Sequence, residues 1–195
     1  MTTIHLRCHS FAVPDGKGGK KLSPYGEKWA RIVGDFYILT CFTHLISGNT
    51  TQTKSTLELM GANQLEVQPQ EQDFLCHHRA NIWDLYLVRH GQLDYDSPLV
   101  REEALRMREQ FLTYAQGLDR DAKVLAVGEP NLLETLVFAV TGRMIRKPFH
   151  ECEGATLVRR TNADWELGKE IRVDHDEAFI WLVKQHERLN GQKKG

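Results

Sequence analysis

The chain has 195 residues, of which 41% are hydrophobic and 26% are charged, and its formal net charge is −1. This length and composition predict one compact domain over residues 1–195, and the balanced charge gives no support for binding to nucleic acid or to an anionic membrane surface. No apolar run approaches the roughly 18 residues of a membrane-spanning helix, the first residues lack a signal-peptide pattern, and the four cysteines form no CxxC pair, so we expect a cytoplasmic protein with reduced thiols.

The first third of the chain predicts two strand–helix units. A strand over "TIHLRC" is followed by "VPDGKGGKK", which favours a solvated, mobile loop over a phosphate-binding one because the full P-loop pattern is missing. Ser23 and Pro24 then begin a helix as its N-cap and first residue. The run "FYILTCFTH" predicts the second strand, and "TQTKSTLELM" predicts the second helix, ending at Gly61.

The rest of the chain continues this alternation. It predicts a helix, a buried strand, a helix, two strands and a closing helix, over "SPLVREEALRMREQFLTYAQGL", "AKVLAVGEPN", "LLETLVFAVTG", "GATLVRRT", "WELGKEIRV" and "DEAFIWLVKQHERLN". Such alternation is typical of an α/β sandwich with parallel strands. The apolar face of the closing helix, with Phe179, Trp181 and Leu182, fits the core, and a homodimer contact is the alternative.

Segments along the whole chain, in order, resemble the histidine phosphatase superfamily, whose best-known branch is the cofactor-dependent phosphoglycerate mutases. They are "MTTIHLRCHS", "LSPYGEKWARIVGDF", "ILTCFTHLISGNTTQTKSTLEL", "KVLAVGEPNLLETL" and "GATLVRR" followed by "DWEL". The resemblance implies a three-layer α/β sandwich around a mostly parallel sheet. In that family a histidine attacks phosphorus, a second histidine and two arginines hold the phosphoryl oxygens, and a carboxylic acid protonates the leaving group.

The resemblance places His9 where the family's nucleophile stands. Cys8 then replaces the first arginine, and Ser10 replaces the glycine that follows the histidine. A shift by one residue instead aligns Arg7 with the arginine and Cys8 with the nucleophile, which would make a phosphocysteine. We favour the first register because it keeps Ile4 and Leu6 at apolar positions, and Cys8 is then a small buried side chain.

The other catalytic positions also depart from the family pattern. Ser47 stands in place of the second arginine, with His44 or Lys54 as nearby sources of positive charge that lack arginine's bidentate fork. Glu129 stands in place of the second histidine, and an alignment that deletes the histidine after Gly128 gives the same loss. The leaving-group acid falls in the region of Glu71 and Asp73, which are otherwise surface charges.

One tripeptide and one cluster of ligand-type residues remain. Arg89, His90 and Gly91 spell the family's active-site tripeptide, but in the middle of the chain, where using it would require a permuted order. We interpret residues 79–91 as a helix with this tripeptide at its polar end, outside the site. Residues 76–78, read Cys-His-His, offer zinc-ligand types without a standard spacing, so no metal site is expected.

These observations predict a histidine-phosphatase-like protein with a degenerate site and no cofactor, which binds a phosphorylated or other anionic small molecule or serves regulation. The alternative is an active phosphomonoesterase that uses His9 with a rearranged cradle of Arg7, His44 or the lysines of "GKGGKK". In either case, we expect His9 and Glu129 to come from neighbouring strands and to face one pocket at the carboxyl edge of the sheet.

Overall fold

The computed structural model describes residues 1–37, 41–61, 67–75, 88–89, 92–160 and 164–173. The predicted closing helix over residues 176–190, His90 and the cluster at residues 76–78 lie outside the described residues. Those predictions therefore stay predictions.

A six-stranded sheet has the order β10-β9-β1-β8-β4-β5. Its strands are β1 (Thr2–Cys8), β4 (His44–Ser47), β5 (Pro69–Glu71), β8 (Lys123–Gly128), β9 (Gly154–Arg159) and β10 (Trp165–Ile171). Strands β1, β8, β4 and β5 run parallel, while β9 is antiparallel to both β1 and β10. Two short hairpins pair β2 (Ala12–Pro14) with β3 (Lys20–Leu22) and β6 (Val88–Arg89) with β7 (Gln92–Leu93).

Helices cover both faces of this sheet. Among the described residues they are α1 (Pro24–Tyr37), α2 (Thr51–Met60), α3 (Pro98–Gln116) and α4 (Pro130–Thr141), together with a 3₁₀ turn at Asp73–Leu75. Within the described residues, no helix is long and apolar enough to cross a bilayer.

The side chains of the central strand β8 show how the layers are built. Val124 and Ala126 share a buried cluster with α3 and α4, whereas Leu125 and Val127 share the opposite cluster with α1 and α2. Successive side chains of a strand point to opposite faces, so a run of four apolar residues serves two cores. The predicted three-layer α/β sandwich with a mostly parallel sheet is therefore confirmed.

Helix ends follow the local signals of the sequence. The Ser23 hydroxyl accepts a hydrogen bond from the Gly26 amide at 2.9 Å, just before α1 begins at Pro24. At the end of α2, the Gly61 amide donates to the Leu57 carbonyl. Both predicted boundaries are confirmed because capping depends on residues a few positions apart.

The predicted strand over "FYILTCFTH" is wrong. Helix α1 continues to Tyr37, and strand β4 begins only at His44. A short apolar run has the same composition in a buried strand and in the last turn of a helix, so its periodicity did not separate the two.

The segment "VPDGKGGKK" forms a hairpin between β2 and β3, which the sequence analysis did not predict, and Asp15 shapes its turn. Its Oδ1 accepts hydrogen bonds from the amides of Lys17 at 2.7 Å and Gly19 at 2.9 Å, while its own amide donates to the Gly19 carbonyl. An aspartate that bonds backbone amides a few residues ahead replaces the missing apolar contacts of a short hairpin.

The helix predicted over residues 79–91 is wrong at Val88 and Arg89, the two residues of this range that the structure describes. Arg89 lies in strand β6 and pairs with Gln92 of the antiparallel strand β7. The backbone at Arg89 is therefore extended, while His90 and Gly91 lie outside the described residues.

Helix α1 approaches the segment after β1 so closely that a larger residue at Gly26 cannot fit. An added Cβ there would lie 2.1 Å from the Phe11 carbonyl oxygen, whereas one at Gly117 would meet its nearest neighbour at 3.5 Å. We expect Gly26→Ala to lower the free energy of unfolding by about 1–3 kcal/mol, and hence Tm by several degrees, although alanine is the better helix former. The matched Gly117→Ala should leave Tm nearly unchanged in thermal unfolding followed by circular dichroism. Equal Tm values for the two variants would contradict this packing.

Candidate active site

Polar residues follow the carboxyl ends of three adjacent parallel strands. His9 comes directly after β1, Glu129 directly after β8, and Thr50 three residues beyond β4. The carboxyl ends of parallel strands lie at one edge of a sheet, where sites of this architecture form. The expectation that His9 and Glu129 come from neighbouring strands at this edge is confirmed, and the two side chains are in direct contact.

His9 and Glu129 form a partly enclosed ion pair. The His9 Nε2 atom lies 2.8 Å from the Glu129 Oε2 atom, and the two side chains are 16% and 6% exposed. The other ring nitrogen, Nδ1, lies 2.6 Å from the Ser10 carbonyl oxygen. Because a carbonyl only accepts, Nδ1 carries a proton, and Nε2 is the nitrogen that faces the carboxylate.

The second carboxylate oxygen of Glu129 is held by the start of α2. Oε1 accepts hydrogen bonds from Gln52 Nε2 at 3.0 Å and from Thr50 Oγ1 at 3.2 Å. Glu129 is itself the N-cap of α4, but its side chain makes no capping hydrogen bond there. The carboxylate therefore turns away from its own helix, towards His9 and the first turn of α2.

The charge state of His9 follows from opposing effects. Burial disfavours the imidazolium and by itself lowers the pKa of His9, but the hydrogen bond and charge of Glu129 and the Ser10 carbonyl outweigh it. Glu151 adds a weaker attraction. The net result is a pKa for His9 above its ordinary value of 6.5, so the pair favours the doubly protonated ring.

Backbone contacts hold His9 in place from strand β8 and from the segment just before β9. Its amide donates to the Gly128 carbonyl at 3.0 Å, and its carbonyl accepts from the Cys152 amide at 3.4 Å. Cys152 is fully buried and has φ of 62°, a left-handed conformation that is uncommon for a residue other than glycine. The Ser10 amide donates to the Thr56 hydroxyl at 3.0 Å, which ties the next residue to α2.

Cys8 and Arg7 are both buried, and as successive residues of β1 they point to opposite faces of the sheet. Cys8 is fully buried with Ile4 and Leu6, and burial, reinforced by nearby Glu134, raises the pKa of its thiol well above the ordinary value. A neutral, enclosed thiol is a poor nucleophile, which agrees with the interpretation of Cys8 as a small buried side chain.

Arg7 is also enclosed. Its Nη1 donates to the Cys152 carbonyl at 3.0 Å, and burial lowers the pKa of the guanidinium to about 10. We expected Arg7 to bind a ligand. In this structure its guanidinium instead contacts the backbone of Cys152, whose amide in turn donates to the His9 carbonyl.

His44 and Ser47, which the sequence analysis related to the second arginine of the family, do not contact His9 or Glu129 in the hydrogen bonds of the described residues. His44 is at the amino end of β4, level with Val124 at the start of β8, and its ring bonds to Thr43. This placement contradicts the expectation that His44 supplies a positive charge beside His9. The Ser47 hydroxyl donates to the Gly48 carbonyl, and Ser47 is buried.

Lys54 and the expected leaving-group acids are also separate from His9. Lys54 Nζ pairs with Glu71 Oε1 at 2.8 Å, and both side chains are exposed. Glu71 and Asp73 line a surface groove of about 510 Å³, and neither His9 nor Glu129 lines that groove. These positions agree with the interpretation of both acids as surface charges.

Sequence reasoning did not identify three residues of the site: Thr50, Gln52 and Cys152. Thr50 carried a signal, because a threonine that caps a helix just beyond a parallel strand lies at the edge where sites form. Gln52 follows from it, as a residue in the first turn of the same helix. Cys152 had no signal, since its left-handed backbone is fixed by tertiary contacts. Within the described part of the chain, no group of three or more His, Cys, Asp or Glu side chains is arranged to hold a metal ion.

In sequence, the chain matches no protein-family model and no curated protein. In structure, it matches a phosphoserine phosphatase from Entamoeba histolytica, solved with 3-phosphoglyceric acid, at 12% identity and a TM-score of 0.67 over 90% of this chain and 99% of that one. A mycobacterial glucosyl-3-phosphoglycerate phosphatase, solved with inorganic phosphate, matches at 13% identity and a TM-score of 0.67 over 88% and 98%. A mycobacterial hydrolase matches at 12% identity and a TM-score of 0.69 over 89% and 99%. The fold of this chain is therefore the fold of these proteins.

The ion pair predicts a measurable shift in the titration of His9. Glu129→Gln keeps the shape of the side chain but removes its charge, so the pKa of His9 should fall below its wild-type value. Since the wild-type pKa lies above 6.5, the pair stabilises the fold fully below pH 6.5 while Glu129 is ionised, and this stabilisation is lost as pH rises through the folded-state pKa. Histidine ring resonances followed by NMR against pH, with His9→Gln to assign the signal, measure the shift.

Glu151→Gln is the matched control for this titration. Glu151 acts on His9 through charge alone and more weakly than Glu129, so its neutralisation should produce the smaller shift. A shift at least as large as that of Glu129→Gln would contradict the assigned pair.

Proposed function

We propose, from the fold that this chain shares with the histidine phosphatase superfamily, that the protein is a histidine-phosphatase-like module whose site does not run the phosphohistidine reaction and serves binding or regulation instead. The observation that carries this proposal is the 2.8 Å contact between His9 Nε2 and Glu129 Oε2. The nitrogen that would attack phosphorus is already bonded to a carboxylate.

The first argument concerns the lone pair of the nucleophile. Nδ1 of His9 is directed at the Ser10 carbonyl, so only Nε2 could attack phosphorus. In the ion pair, Nε2 carries a proton that it donates to Glu129, and a protonated nitrogen has no lone pair to give. Attack would require His9 to lose that proton while a buried carboxylate beside it favours keeping it.

The second argument concerns charge. A phosphoryl group brings two negative charges, and its transfer is catalysed mainly by cations that hold its oxygens. The aligned positions here carry Cys8, Ser47 and Glu129, which are two neutral side chains and one acid. Two unit charges of the same sign 4 Å apart repel by about 1 kcal/mol in water and about 4 kcal/mol near a protein surface, so Glu129 opposes the substrate where a donor should attract it.

The alternative is an active phosphomonoesterase. It is favoured by one observation: the Ser10 carbonyl fixes the His9 tautomer that places Nε2 towards the carboxyl edge of the sheet. This reaction would need Glu129 to move away and cations to enter from elsewhere, such as the lysines of the β2–β3 hairpin.

We expect the wild-type protein to turn over a generic aryl phosphate no faster than His9→Ala does. Removal of one well-placed donor typically lowers kcat about a hundredfold to a thousandfold, and three such positions have changed here. The measurement is release of the phenolate at several pH values, together with ³¹P NMR for a phosphohistidine after incubation with the substrate.

His9→Ala, purified in the same way, controls for contaminating phosphatases. Wild-type turnover in the usual enzyme range of about 1–1000 s⁻¹ that disappears in His9→Ala would overturn the proposal and establish the alternative.

A further inference from the structure

We propose that the Glu129 carboxylate is an internal ligand in an oxyanion site of this protein, and that the site accepts a free oxyanion, a carboxylate or a phosphate, when that side chain is absent or displaced. This inference rests on the proposed function, because both concern the same site, and it adds the ligand class and the element that closes the site. We call the site the Glu129 site and define it by three side-chain groups of the described residues that contact the carboxylate: His9 Nε2, Thr50 Oγ1 and Gln52 Nε2.

The contacts of the carboxylate are those of a bound anion. One oxygen meets His9 at 2.8 Å, and the other accepts from Gln52 at 3.0 Å and Thr50 at 3.2 Å. Three side chains from two different elements, β1 and α2, converge on one group. Charge-assisted hydrogen bonds of this kind give a buried carboxylate its partners.

The donors are held in place by contacts that do not involve Glu129. His9 is fixed through its own backbone and through the Ser10 carbonyl. Thr50 caps α2 and accepts from the Thr53 amide, and Gln52 is buried in the first turn of that helix. Because α2 has ten residues, its amino end adds a favourable potential for an anion to these side-chain donors. The donor set should therefore persist when the carboxylate is removed.

The atoms that Glu129→Ala removes set the shape of the cavity that this variant should contain. Glu129→Ala removes one methylene and one carboxylate, and these atoms together correspond to acetate. A small carboxylate can thus restore the missing group without covalent attachment, and inorganic phosphate presents oxygens of the same charge type to the same donors. Comparing the binding of acetate with that of inorganic phosphate shows whether the site fits only a planar carboxylate or also takes a tetrahedral phosphoryl group.

The experiment measures binding of acetate and of inorganic phosphate to Glu129→Ala at roughly pH 6, where histidine is readily protonated. Isothermal titration calorimetry gives Kd, and thermal unfolding gives the rise in Tm with anion concentration. At a hundred times Kd, a single site should raise Tm by about 5–10 °C in a protein of this size. The wild-type protein should show no such rise with either anion at the same ionic strength.

Two control variants test where the anion binds. Glu129→Gln fills the same space without a charge, so it should leave no cavity and should not respond. His9→Ala combined with Glu129→Ala keeps the cavity but removes the cation, and its affinity should fall at least tenfold. Where Glu129→Ala does not fold, Glu129→Ser replaces it, because serine at the start of α4 is a favourable N-cap and still lacks the carboxylate.

The outcomes are distinct. Binding of either anion to Glu129→Ala or Glu129→Ser, lost in the His9 double variant, supports the inference. No response in both single variants, or an equal response in Glu129→Gln, overturns it. Neither result depends on turnover by the wild type, so failure of the proposed function is seen in the phosphatase assay and failure of this inference is seen here.

Discussion

The ion pair between His9 and Glu129 is the constraint on which the carboxyl edge of the sheet depends. Each residue is largely removed from water, and each would be costly there alone. Removing one partner of a buried pair typically costs about 3–5 kcal/mol, because the other charge is left without compensation. The ion pair and the hydrogen bonds of Glu129 therefore connect four elements: the ends of β1 and β8, the start of α4 and the first turn of α2.

The proposed function depends on this ion pair, because the fold alone does not set the chemistry at the strand ends. The parallel strands bring His9, Glu129 and Thr50 to one edge whatever their chemistry, because that placement depends on the core alternation of β1, β8 and β4. The side chains then decide the reaction. With an acid beside the histidine, the edge satisfies its own charges from within the chain.

Much of the fold could be predicted from local signals in the sequence. Ser23, Pro24 and Gly61 mark helix ends through contacts a few residues apart, and the apolar run of β8 indicates a strand buried on both faces. The start of β4 was missed because "FYILTCFTH" is apolar without a period that separates strand from helix. The β2–β3 hairpin was missed because its order comes from the carboxylate of Asp15 rather than from apolar contacts.

The site was predictable in part for the same reason. His9 and Glu129 each end a recognisable strand, and parallel neighbours place such residues together. His44 was misplaced because the strand was assigned too early in the chain, which moved this residue from the amino end of β4 towards the site. The conformation of Cys152 depends on contacts with His9 and Arg7, far away in sequence, and no local pattern encodes them.

Because the described cysteines differ in burial, the chemical modification of each one can measure how often the structure around it opens. Cys41 is exposed, whereas Cys8 is buried among the residues that face α3 and α4, and Cys152 is buried on the side of α1 and α2. A thiol reagent can therefore modify Cys41 in the native protein but reaches Cys8 or Cys152 only when the layer that covers it separates from the sheet. The rates of alkylation at Cys8 and Cys152, resolved by mass spectrometry, would give separate free energies of opening for the two layers that enclose β1.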